Sequence, residues 1–354
     1  MMRKKKILGA LLLIVAFVAT GWVLGIAPAE AQKTTLKLAH GARTDFSLAI
    51  GAVEFKKFVE QESKGSLDVT IHPNASLGPE REFIESLMMG NVDLGITTGF
   101  TLSNLTGIPD LLVYDIPWLI GNRDLYYRVF DETKAYKTIK AKLEAKGVKI
   151  LGQGDIGSMA LLGKKPIRKP ADIQGWKIRT GESALIVDVF KTMGVKPVVV
   201  NFGELFTAFQ QGVMDALYTT TPLIHMTKTY EVAKELTQLN NVYVMAYLCM
   251  SVKKFNSLSK EQQAVLEKAG VAYTAATKKA SDDETGRTVA AMVKAGTKFY
   301  SLNQKEGEEF AKVLAPVYTT WREKVGTEIY DETKAFVDKA KKAGTGKPTQ
   351  KGKK

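Results

Sequence analysis

Apolar and polar residues alternate from Leu36 to His40, which predicts a first strand ending in the turn 41–45. Residues 46–62 then switch to helical spacing, with Phe55, Phe58 and Val59 on the core-facing side. Leu67, Val69 and Ile71 alternate with Asp68 and Thr70, giving a second strand with one polar face. A loop over 73–79 leads into a helix at 80–89, with Pro79 at its start and Gly90 at its end. A third short strand follows at 92–96. The rhythm resumes after Gly147, with strands at 148–151 and 175–179, a helix at 183–193, a strand at 197–200, a helix at 203–211 and a strand at 216–218. Strands alternating with helices in this order predict mostly parallel sheets with helices on both faces, arranged as two α/β lobes.

One segment breaks the rhythm. Ser259 to Gln262 reads as a capping box, and helical character persists to about Ala295 before Gly296. At 1.5 Å per residue this is on the order of 50 Å, wider than one lobe. No Pro or Gly falls between Val271 and Thr285, so a continuous or bent helix across both lobes is expected. The heptad from Phe130 to Tyr136 is echoed from Tyr330 to Phe336; both copies read as acidic first turns of surface helices.

The first residues stand outside this pattern. Arg3 to Lys6 form a positive segment, residues 7–18 an apolar one, and Ala29-Glu30-Ala31 a cleavage site, which together read as an export signal. A membrane anchor is the competing reading, weakened by Gly21, Gly25 and Pro28. About 320 residues would remain, enough for two domains. The formal charge of +13 falls to about +10 without the signal, and residues after Gly344 add four more lysines in a tail expected to be disordered. Aromatics are not interleaved with the basic residues, so nucleic acid is not the expected partner; the charge suggests anionic ligands. Cys249 is the single cysteine, which excludes a disulfide framework and paired-cysteine zinc sites.

Candidate chemistry is sparse. Gly152 to Gly157 matches G-x-G-x-x-G, but Pro166 cuts the following segment short and Lys177 and Arg179 stand where a ribose-binding acid would be needed. A crossover between lobes is the better reading of these glycines. His40, His72 and His225 are scattered without acidic neighbours at metal-ligand spacing, so no metal or cofactor is expected. No nucleophile motif is present, and an enzyme is not expected. Arg179 ends a predicted strand, and ligands of open α/β sheets lie beyond the carboxyl ends of strands. A guanidinium there suits bidentate capture of a carboxylate.

The stretch from Lys169 to Arg179 resembles the P-x-D-L-x-G-x-K-I-R element of the DctP-like solute-binding subunits of TRAP transporters. The stretch from Pro197 to Asp215, the Leu-Gly-Pro-Glu-Arg at 77–81, Gly90 to Leu94 and Asp115 to Leu119 follow that family too. The resemblance implies a periplasmic binding protein fold of two lobes, residues 32–156 with about 245–284 and residues 157–244 with about 285–340, after a signal at 1–31 and before the tail at 344–354. It implies that Arg179 clamps a ligand carboxylate and that small DctQ-like and large DctM-like membrane subunits receive the ligand. Family members for acidic sugars and dicarboxylates often carry a second Arg in the crossover before the Arg179 motif, where this chain reads Gly157-Ser158-Met159-Ala160, and Thr219 replaces a frequent Asn. One cation, the hydroxyls of Ser158 and Thr219, and the aromatics Phe202, Tyr218 and Phe100 suit a monocarboxylate. Trp118 is a weaker candidate. Partnership with a signalling receptor, or catalysis on the same scaffold, are the competing functions; the first turns on the protein partner and the second on turnover of a bound acid.

Overall fold

The computed structural model describes residues 33–343, so the export signal and the basic tail lie outside the described residues. The chain opens with β1 (Thr34–Ala39), α1 (Ser47–Glu62), β2 (Leu67–His72), α2 (Glu80–Met89) and β3 (Leu94–Thr98). β3 starts two residues later than periodicity predicts. Gly90 adopts φ +85° after α2, and the N–H groups of Asn91 and Val92 turn back to the Ser86 carbonyl, which holds Val92 in the turn.

Between β3 and Val148 three helices have no counterpart in the periodic pattern: α3 (Gly99–Thr106), α4 (Arg123–Glu132) and α5 (Lys134–Ala145). The echoed heptads correct the sequence reading, because neither is the acidic first turn of a helix: the first closes α4 and opens α5, and the second lies inside a helix. Thr133 is extended (φ −96°, ψ 150°), ends α4, and caps α5 by accepting from the Tyr136 N–H. Thr333 sits buried inside the last helix, α13 (Thr327–Lys342). The two echoes meet instead, the Lys134 N–H donating to the Glu332 carboxylate at 2.7 Å. α13 thereby packs on α4 and α5, with the Arg128 guanidinium 5.2 Å over the Phe336 ring.

The remaining order is β4 (Val148–Gly163), β5 (Lys177–Thr180), α6 (Ala184–Thr192), β6 (Lys196–Val199), α7 (Leu205–Gln210), β7 (Ala216–Thr220), α8 (Thr221–Met226), β8 (Glu235–Ser251), α9 (Val252–Asn256), α10 (Lys260–Lys294), β9 (Lys298–Ser301), α11 (Gln304–Val313), α12 (Ala315–Lys324) and α13. β4 runs to 16 residues and β8 to 17, far beyond the short strand predicted at 148–151. They join two parallel halves, β1 with β3 and β6–β5–β7, into one mixed sheet of order β2-β1-β3-β8-β4-β7-β5-β6, with β9 on β8. β4 and β8 are antiparallel throughout, and their register breaks between Asp155 and Ala160.

α10 is a single 35-residue helix with the expected Ser259–Gln262 capping box. Its buried stripe runs Leu266, Tyr273, Thr277, Ser281, Glu284, Thr288, Met292, apolar at one end and polar toward the middle. It packs on α1 and β4 in the first half and on α8 and β9 in the second. The G-x-G-x-x-G glycines lie in β4 under this helix, in line with the crossover expected of them. A Cβ on Gly152 would lie 2.4 Å from the Gly270 carbonyl oxygen, one on Gly154 2.2 Å from Thr277, and one on Gly270 2.0 Å from the Leu151 carbonyl oxygen. Glycine is needed for backbone approach, as in a dinucleotide fingerprint, but here the backbone approached is a helix. Gly270→Ala is expected to destabilise by about 1–3 kcal/mol, read by urea unfolding; an unchanged midpoint would contradict this close packing.

Candidate functional site

Arg179 is the penultimate residue of β5, opposite Val198 of β6 and Leu217 of β7. It is 7% exposed. Its Nε and Nη2 donate to the Val200 carbonyl at 3.0 and 2.8 Å, and among the described residues that is its only hydrogen-bond partner. Burial without a counter-charge draws its pKa down to about 10. Desolvation disfavours the charged form, so this is a cation held out of water and lacking an anion. The remaining N–H groups of the fork are available to one.

Register settles which neighbours share its face. Arg179 lies beside Leu217, so Thr219, two residues on, shares that face at the end of β7; Thr219 in turn pairs with Ala160 of β4. Tyr218 points the opposite way. It is 3% exposed, stacks edge-on against Phe190 of α6 with centroids 5.1 Å apart, and its hydroxyl accepts from Asn241 at 3.2 Å. Ser158 lies at the register break of β4, buried, with its hydroxyl unpaired; Thr220, the last residue of β7, is also buried with its hydroxyl unpaired. Phe202 follows β6 and stays 42% exposed beside exposed Val199. Phe100 is the second residue of α3 and packs partly against the core. Trp118 (φ +59°) is part-buried, stacks on Phe310 at 5.8 Å and packs against the core.

At the end of β3, in the first half of the sheet, a second polar cluster forms. Glu80 at the start of α2 accepts from the Thr97 hydroxyl and from the N–H and hydroxyl of Thr98, at 2.7 to 2.9 Å. Further along, Asn104 of α3 donates to the Glu182 carbonyl at 3.2 Å, just past the Arg179 strand tip. That bond ties α3 to the loop after β5.

A polar knot at the β4–β8 register break has no counterpart in the sequence reading. Asp155, 1% exposed, accepts from Arg123 Nε (2.8 Å) and Nη2 (2.6 Å), the Tyr127 hydroxyl (2.7 Å), the Ser281 hydroxyl (2.6 Å) and the Gly157 N–H (3.2 Å). Arg123 also reaches Asp282 and the Lys278 carbonyl of α10. Three elements, with bonded residues 28 to 159 apart in sequence, are joined at the register break, and no local motif could have announced it.

His40, at the end of β1, is buried, and desolvation pushes its pKa down to about 4 from 6.5. Between those values the unfolded chain binds the proton and the folded chain does not, so stability falls as pH drops through that window. The loss is up to about 3 kcal/mol. Urea unfolding at pH about 7 and about 4.5 is expected to show a smaller acid penalty for His40→Asn than for the parent; equal penalties would remove His40 from the account.

A family model described as "Bacterial extracellular solute-binding protein, family 7", DctP, matches residues 38–324. The C4-dicarboxylate-binding periplasmic protein DctP of Rhodobacter capsulatus is 28% identical over 94% of this chain and 99% of its own length. Among solved structures, a TRAP periplasmic solute-binding protein from Polaromonas, bound to D-erythronate, is 30% identical with a TM-score of 0.78, covering 86% of this chain and 99% of that one. The sugar acid binding protein of Advenella mimigardefordensis, in complex with galactonate, is 26% identical with a TM-score of 0.80, covering 87% and 99%.

Proposed function

Because the chain belongs to the bacterial extracellular solute-binding proteins, family 7, we propose that it captures a small monocarboxylate and delivers it to a TRAP-type membrane permease. The family is one of solute-binding transport proteins, and TRAP proteins of this fold bind organic acids. The narrower reading concerns this chain's own residues. Arg179 grips the ligand carboxylate through its unpartnered N–H groups, and Thr219, Ser158 and Phe202 line the remainder. Tyr218 acts from behind, holding Asn241 and the strand tip in place, and Phe100 borders the cleft from α3.

The observation that carries this reading is the buried, anion-free Arg179 at the end of β5. A carboxylate replaces the lost hydration of the guanidinium and gains a charge-assisted, forked pair. One cation matches one carboxylate. The proposed lobes, residues 32–156 with about 245–284 and 157–244 with about 285–340, change over near the β4–β8 register break, which suits a hinge. Closure around the ligand gives the small DctQ-like and large DctM-like subunits a shape to recognise. The site binds and releases its ligand without chemistry, and the protein works in the periplasm after loss of residues 1–31.

Thermal-shift screening of residues 32–354 against a panel of carboxylic acids, neutral sugars and amines tests this. Stabilisation is expected from monocarboxylates. A response confined to neutral sugars or amines would defeat the proposal.

A further inference from the structure

Lys177 and Lys196 are the first residues of β5 and β6 and lie opposite one another in register. β7 starts at the same end of the sheet, with Ala216 opposite Ile178 of β5 and Gly163 of β4, so Asp215 and Lys164 fall level with Lys177. β8 and β9 start there too, Gly163 pairing with Glu235 and Glu235 with Lys298. Lysines therefore stand along a row that crosses six strands, roughly 24 Å at ordinary strand spacing. The row lies at the strand ends opposite the Arg179 tip. Lys165 and Lys169, in the loop after β4, and Lys191, in the last turn of α6, extend it.

Lys164, Lys165, Lys169, Lys177, Lys191 and Lys196 are exposed, and among the described residues no carboxylate pairs with any of them. The acids interleaved with them are fewer, and each is turned to a partner of its own. Asp172 accepts from the N–H groups of Arg168 and Lys169 at 2.9 and 3.0 Å, Asp215 from the Lys177 N–H at 2.8 Å, and Glu235 pairs with Lys298 at 2.9 Å. Two apolar side chains stand among these charges: Val213, two residues before Asp215, and Phe299, next to Lys298, are each 40% exposed.

We propose that this end of the sheet is a membrane-contact surface, which rests on the anionic headgroups of a lipid bilayer. Crowded ammonium groups repel one another, and a diffuse negative field relieves all of them together. A row this long matches an array of headgroups rather than a single phosphate. Lysines act as point charges without the forked geometry that a discrete carboxylate or phosphate selects. Exposed Phe299 and Val213 can enter the headgroup region, where an acidic protein segment would leave them in water. The surface goes beyond the acid-binding reading and leaves the Arg179 site open.

The test is sedimentation of residues 32–354 with vesicles of phosphatidylglycerol and phosphatidylethanolamine, and with vesicles of phosphatidylcholine alone, at low and physiological salt. Binding to the anionic vesicles alone, weakened by salt, is expected. Lys164→Gln, Lys165→Gln, Lys177→Gln and Lys196→Gln together are expected to weaken it about tenfold or more. The charge-matched set Lys57→Gln, Lys64→Gln, Lys137→Gln and Lys146→Gln, at exposed positions in the first half of the chain, is expected to change it by less than about threefold. Equal losses in the two sets would reduce the effect to net charge and overturn the inference, as would a parent that ignores anionic vesicles. Patch-dependent binding of polyglutamate without vesicle binding would overturn it in favour of an acidic protein segment. None of these readouts requires the bound acid, so failure here leaves the Arg179 reading standing.

Discussion

Arg179→Met is expected to weaken binding of the protein's acid by about 2–5 kcal/mol, thirty- to several-thousand-fold, while leaving the fold intact. The same change is expected to stabilise the ligand-free protein. The guanidinium is 7% exposed and lacks an anion, and its displacement from 12.5 to about 10 corresponds to roughly 3 kcal/mol of penalty on the charged form. That penalty is present at every pH below about 10 and fades only as pH rises beyond it, so neutral conditions carry it in full. Methionine fills similar volume without the charge, and a gain of about 1–3 kcal/mol in the apo form follows. Calorimetric titration measures the first effect and urea unfolding the second. Unchanged affinity would remove Arg179 from the site; lost affinity with lowered apo stability would mean that it is a structural cation.

Asp155→Ala is expected to cost about 3–5 kcal/mol of folding stability, the largest loss among the polar substitutions considered. The carboxylate is buried and accepts from two nitrogens of Arg123, two hydroxyls and one backbone N–H. Removing it strands Arg123, whose side chain is 14% exposed and keeps only Asp282 and a carbonyl. Replacing both partners, as in Asp155→Leu with Arg123→Met, is expected to recover much of the loss, because the unpaired charge is gone. Urea unfolding of the two single variants and the double variant gives the comparison. A single-variant loss under about 1 kcal/mol, or a double variant no better than Asp155→Ala, would show that the knot is not a buried ion pair in energetic terms.

Much of the site and fold was legible because it is local. Alternation over 36–40 and 67–71, the Pro79–Gly90 frame of α2 and the Ser259 capping box each depend on a few adjacent residues, and each element forms where those residues place it. Arg179 was legible as well, since a basic residue at the end of an alternating strand implies a position in the fold. Tyr218 shows the limit. Its place in the sequence puts it beside Thr219, but strand alternation sends the two side chains to opposite faces, and only the register with β5 says which one is Arg179's.

What the chain determined by itself, then, is the order of its first five elements, the cap and stop signals of several helices, and a cation at a strand tip, because neighbouring residues supply all the forces involved. The tertiary structure alone decided that β4 and β8 run through both halves, that α10 needs glycine beneath it, and that Asp155, Arg123, Ser281 and Tyr127 converge at the β4–β8 register break. Those outcomes depend on backbone approach and on desolvated charge between segments far apart in sequence. Neither quantity exists until the chain has folded back on itself.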